Sequence, residues 1–126
     1  MITKLFAFAV TALMAGVLFA QEPQGVKLTG YLIDNMCASK HVNDKDFGDR
    51  VKRHPTSCAL EDVCEKAGFA VFADGKLYKF DQAGNSSAKE LLKNTKTKKG
   101  VQVAVEGTLD GDTLHVTKLE ETNSTS

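Results

Sequence analysis

The residues of this 126-residue chain best equipped for chemistry are its three cysteines, Cys37, Cys58 and Cys64, and two of its histidines, His41 and His54. Four of them fall into two pairs of equal spacing, Cys37-x-x-x-His41 and His54-x-x-x-Cys58. Residues four apart share one face of a helix, so either pair could aim two ligands at one ion. Two thiolates and two imidazoles make a tetrahedral set suited to zinc, and thiolate with imidazole also suits copper. The spacings match no standard zinc-finger pattern, and an oxidising compartment favours disulfide over thiolate.

An odd number of cysteines leaves one thiol over when a disulfide forms. If Cys58 to Ala67 is one continuous helix, Cys58 and Cys64 are about 9 Å apart along its axis and about 240° apart around it, too far to bridge. Cys37 is then the partner of one of them. Cys64 is preferred because it shares the expected inward stripe of Leu60, Val63 and Ala67. The expected disulfide is therefore Cys37–Cys64, leaving Cys58 with His54 and His41 as a three-ligand candidate site for copper or zinc. Against this stands a plainer expectation, in which two cysteines are bridged, the third is buried and both histidines lie on a wet loop.

Catalysis is not expected. A Cys-His nucleophile could be assembled from Cys58 and His54, but the sequence names no orienting partner and no oxyanion donor. Asp44 and Asp46 are neighbours on a charged stretch and read as solvated.

The elements that must position these residues follow from periodicity. Val26 to Ile33 alternates apolar and polar residues, then turns wholly apolar, and reads as a first strand. The polar stretch from Asp34 to Thr56 is a functional excursion or a short helix around Asp44 to Arg53. Pro55-Thr56-Ser57 starts a helix that Gly68 stops. Phe69–Ala73, Asp74-Gly75 and Lys76–Phe80 read as a tight hairpin. Ser87 with Glu90 suggests a capping box for a second helix, followed by a solvated lysine-rich connection, Lys93 to Lys99. Val101 to Leu109 and Asp112 to Leu119, joined at Asp110-Gly111, give the last two strands, with Leu114 and Val116 inward. The tail from Glu120 to Ser126 is polar.

The fold class expected is mainly β (α+β): a small five-stranded OB-like barrel, with a helical Cys/His insertion (34–67) between strands 1 and 2 and a helix between strands 3 and 4. An open antiparallel sheet with two helices on one face is the competing arrangement. OB-folds bind on strands 2 and 3, where Phe69, Phe72, Tyr78 and Phe80 lie; alternation sends some of these to the core, leaving at most one or two for a binding platform.

The chain opens with Lys4, an uncharged apolar run from Leu5 to Phe19, then Ala20 before Gln21-Glu22-Pro23. That is the pattern of a cleavable secretory signal over 1–20, with 21–126 as a single domain that is periplasmic or secreted. The membrane would be met only through an uncleaved signal. Removing Lys4 with the signal leaves 15 basic against 16 acidic residues, a balance that argues against nucleic acid as a partner.

From His54 to Val116 the chain resembles a group of small exported bacterial proteins that carry a Cys/His-containing segment and an OB-like β domain. The resemblance rests on HPTSCALEDVCEKAGFAVFADGKLYKFDQAGN and VAVEGTLDGDTLHV. It implies export and a barrel-like domain, and no activity. The first expectation for function is thus a non-enzymatic binding or structural module stapled by a disulfide, its partner an unspecified protein or small ligand. The alternative is extracytoplasmic binding of copper or zinc through the Cys/His segment.

Overall fold

The computed structural model describes Gly16 and residues 24–122, and the expected signal segment and the end of the tail lie outside the described residues. The element order is β1 (Gln24–Asp34), α1 (Asn35–His41), α2 (Phe47–Val51), α3 (Thr56–Ala59), α4 (Asp62–Ala67), β2 (Phe69–Ala73), β3 (Lys76–Phe80), α5 (Gln82–Asn94), β4 (Gln102–Asp110) and β5 (Thr113–Glu121). The chain is mixed α+β. Its five strands form one sheet that closes in a ring in the order β1-β2-β3-β5-β4.

Closure depends on β1, which is long enough to serve two neighbours. Its first part pairs antiparallel with β4, from Gln24 opposite Leu109 to Tyr31 opposite Gln102. Its last four residues pair with β2, Leu32 facing Val71 and Asp34 facing Phe69. At the handover lies Gly30, where a Cβ would overlap the Phe72 carbonyl, so only glycine lets the two backbones approach. A short parallel pairing, Lys79 with Thr113 and Phe80 with Leu114, shuts the other side.

Period-two alternation sorts the side chains into two cores. Leu32, Phe69, Val71, Phe80, Val103, Val105 and Leu114 fill the ring, and Ala88 and Leu92 of α5 pack against them. Ile33 and Ala70 point the other way, into a second cluster with Ala38, Phe47 and Val51 of the insertion. This explains why β1 turns wholly apolar at its end: both faces are covered there. No helix of the described residues is long and apolar enough to cross a membrane.

Four expectations need correction. The helix expected from Cys58 to Ala67 is broken: α3 ends at Ala59, Glu61 is extended (φ −62°, ψ 144°), and α4 starts again at Asp62. The break rotates the second half, so Val63 is 62% exposed rather than inward, and Ala67 is exposed as well. Ser87 does not begin the second helix; α5 starts at Gln82, where Asp81 accepts a 2.9 Å hydrogen bond from the Gly84 amide. The lysine-rich connection, in which Thr97 is buried, is solvated at its lysines. Its backbone ties down the insertion, with the Thr56 amide donating to Lys98 O at 2.9 Å and the Gly100 amide to His54 O at 3.0 Å.

The hairpin turn is as expected, with φ of +51° at Asp74 and +76° at Gly75. A Cβ on Gly75 would meet nothing, so its backbone angle is the whole constraint. Gly75→Ala is expected to lower stability by about 1 kcal/mol, read as a lower urea midpoint at unchanged slope.

Candidate functional site

Asp34, the last residue of β1, is completely buried. The strand delivers it there because Leu32 and Ile33 just before it are both fixed in cores. It is also the N-cap of α1, its Oδ2 accepting from the Cys37 amide at 2.8 Å. Its other oxygen, Oδ1, lies 2.8 Å from His54 Nε2. The imidazole is itself 9% exposed, so this is a buried pair, held in place where the 95–100 strap grips the backbone around His54.

Capping α1 places Cys37 in its first turn, against the same carboxylate. Buried Cys64 comes from α4 and brings its thiol beside Asp34. One carboxylate oxygen of Asp34 and the sulfurs of Cys37 and Cys64 all lie within 4.8 Å of one another. Donors from three elements, β1, α1 and α4, thus converge on one point, the only such grouping of three His, Cys, Asp or Glu ligands among the described residues.

Beside this cluster is a cavity of about 320 Å³ whose lining includes Cys37, His41, Arg50, Arg53, His54 and Cys58. Both sequence-predicted pairs therefore reach one space. Only the first does so on a shared helix, since His54 precedes α3 while Cys58 lies within it. His41 is half-turned to solvent and its Nδ1 is 2.9 Å from Asp44 Oδ2, a hydrogen-bonded surface pair. The expectation of both histidines on a wet loop holds for neither part of His54: it is buried and paired. The expected Cys37–Cys64 bridge is not formed in this structure, where all three cysteines are thiols, although the two sulfurs are neighbours.

No protein-family model matches the chain, and no curated protein or solved structure matches it.

The electrostatics follow from the shared carboxylate. Burial pushes Asp34 up, but the hydrogen bonds from His54 and the Cys37 amide, the His54 charge and the Cys64 thiol together outweigh it and bring it down to about 2. Burial, the hydrogen bond to Asp34 and its negative charge push Cys64 up to about 12. Burial, the Asp34 charge and the neighbouring Cys58 raise Cys37 in the same direction. At neutral pH the cluster is a carboxylate with two protonated thiols beside it. A metal ion binding there must displace both thiol protons.

Asp34 is the residue that sequence reasoning missed. The signal was present: an acidic side chain directly after a doubly buried strand end and three residues before a cysteine, the spacing of an N-cap to the amide it satisfies.

Proposed function

We propose that this chain is an exported, non-enzymatic binding protein for a thiophilic metal ion, held by Asp34, Cys37 and Cys64 in an OB-like domain. The observation that carries the reading is the convergence of those three donor atoms within 4.8 Å in a buried setting. Two thiolates and a carboxylate suit zinc, with a fourth position for water; copper(I) would take the two sulfurs alone. The ligand set differs from the one the spacings suggested, because His54 Nε2 is already committed to Asp34 and His41 to Asp44. Both histidines and Cys58 then border the ion's route rather than hold it.

The ring order β1-β2-β3-β5-β4, with α5 between β3 and β4, supports the OB-like reading. Export is proposed from the 1–20 segment. A partner-binding face on β2 and β3 is disfavoured by packing. Phe69 and Phe80 are core, Tyr78 packs against it, and Phe72 meets Phe47 edge-on with ring centroids 5.1 Å apart.

The test is a competition titration of reduced, chelator-treated protein with zinc and with copper(I). One equivalent should bind, with protons released to the buffer and affinity falling as pH drops, because both thiols must deprotonate. Cys37→Ser and Cys64→Ser should each weaken binding more than about a hundredfold, since even changes to groups that only support a ligand cost 10–100-fold. His41→Ala should bind as wild type does. Equal, weak binding by all four proteins rules the site out.

A further inference from the structure

We propose that Cys37 and Cys64 act as a dithiol that exchanges with low-molecular-weight disulfides, which reach Cys37 through the cavity between α1, α2 and α3. The proposal does not depend on metal binding, and it concerns the metal-free protein. Its basis is an asymmetry between the three thiols. Cys37 is half-buried and borders the cavity, while Cys64 is 6% exposed and does not line it. Their sulfurs lie within 4.8 Å of one another. Cys58 borders the cavity but is not in the cluster with Cys64. Cys37 is thus the one thiol that faces both an outside reagent and a buried neighbour.

The chemistry takes two displacements. The Cys37 sulfur attacks one sulfur of the reagent R–S–S–R; a Cys37–S–S–R bond forms, the reagent's S–S bond breaks, and the first RSH leaves with the proton from Cys37. The Cys64 sulfur then attacks the Cys37 sulfur of this mixed disulfide. A Cys37–Cys64 bond forms, and the second RSH leaves with the proton from Cys64. The protein dithiol has lost two electrons and two protons, and one reagent disulfide has become two thiols. The second step requires the two sulfurs to close from within 4.8 Å to about 2 Å.

The cavity lining indicates the chemical class of the reagent. Arg53 donates through Nε to the Asp49 carbonyl at 3.3 Å and has no ion pair among the described residues. Arg50 is 3.8 Å from both Asp44 and Asp46, and its buried Nε has no hydrogen-bond partner. Guanidinium groups of this kind are suited to carboxylates, so a disulfide carrying carboxylates fits better than a cationic one.

The experiment uses oxidised glutathione with reduced, chelator-treated protein, followed by intact mass and peptide mapping without reduction. Wild type should lose two hydrogen atoms and yield a Cys37–Cys64 peptide pair. Cys64→Ser should stop at the first step and hold one glutathione on Cys37, and Cys58→Ser should behave as wild type. Cys37→Ser should form neither product. Circular dichroism of each variant establishes that it is folded, and urea-unfolded wild type sets the rate of a freely reactive thiol. A Cys37–Cys58 or Cys58–Cys64 bridge, glutathione trapped on Cys58, or no product after about a hundred times the period in which unfolded protein reacts fully would each overturn the proposal, the longer period allowing for two thiols that burial and Asp34 hold protonated. Because no metal is present, these outcomes are separate from success or failure of the zinc and copper titrations.

Discussion

Asp34→Ala is expected to destabilise the protein by about 4 kcal/mol, a large fraction of the 5–15 kcal/mol typical of a domain. Two losses add. The first is the N-cap of α1: the Cys37 amide loses its 2.8 Å acceptor, and replacing an Asp cap with Ala costs about 1 kcal/mol. The second is the buried pair with His54, whose imidazole is left 9% exposed and facing a missing partner. Removing one member of a buried hydrogen-bonded pair costs about 1–3 kcal/mol, and more where a member is charged, because the remaining group loses both water and its partner. His54→Ala should cost a comparable amount by leaving the carboxylate alone. The double mutant should then cost clearly less than the sum of the singles, since the buried orphan is gone. Urea unfolding at pH 7 measures all three. His41→Ala provides the contrast: its pair with Asp44 is exposed on both sides and should be worth no more than about 1 kcal/mol. An Asp34→Ala effect as small as that of His41→Ala would mean that the Asp34–His54 pair is not a structural unit.

The parts of the fold that were legible in the sequence are those where one local signal and the tertiary environment agree. Asp74-Gly75 sets its hairpin through two positive φ angles, and Val101, Val103, Val105 and Leu114 are buried as alternation required. The insertion was not legible in the same way. Its helices have 7, 5, 4 and 6 residues, too short for a 3.6-residue period to show itself, and too short to be stable alone. They exist because Phe47, Val51 and Ala38 close over Ile33 and Ala70 on the outer face of β1 and β2, a contact between residues distant in sequence. The start of α5 was hidden for a related reason. Gly84 and Asn85 precede the expected start at Ser87, yet a Cβ at Gly84 would meet Val116 at 2.6 Å and Phe80 at 2.8 Å, and Asn85 Oδ1 accepts from the Phe69 amide at 2.8 Å. Both residues were selected by what the helix packs against.

The site divides along the same line. That Cys37, His41, His54 and Cys58 share one cavity could be suspected from spacing, since thiols and imidazoles are few and stand out. The central role of Asp34 could not, because carboxylates are common and only burial distinguishes this one. Burial also reassigns Cys64. Its place beside Asp34 makes it a donor in the buried cluster as well as the neighbour of Cys37.

The same carboxylate should give the protein a distinctive response to acid. Asp34 is held at about 2, below its ordinary value of 3.8, so between those values the unfolded chain binds a proton that the folded protein does not. The sign is therefore fixed: the contribution of Asp34 to stability is fully present above about pH 4 and is lost as pH falls toward 2. A difference of this size corresponds to about 2 kcal/mol at 1.36 kcal/mol per unit, and complete burial of the side chain leaves little solvent screening to reduce it. Asp34→Asn keeps the shape and an acceptor for the Cys37 amide while removing the ionisation. Its unfolding free energy should lie about 2 kcal/mol below wild type at pH 6, with the gap closing as pH approaches 2. Asp81 is also lowered, with burial opposed and outweighed by bonds from the Gly84 and Val116 amides and by His115, so wild type and Asp34→Asn share that part of the acid response. Subtracting one curve from the other cancels Asp81 and leaves Asp34 together with its coupling to His54. A gap that stays constant from pH 6 to pH 2 would show that the carboxylate acts through its shape and hydrogen bonds alone, and that its charge contributes nothing to the fold.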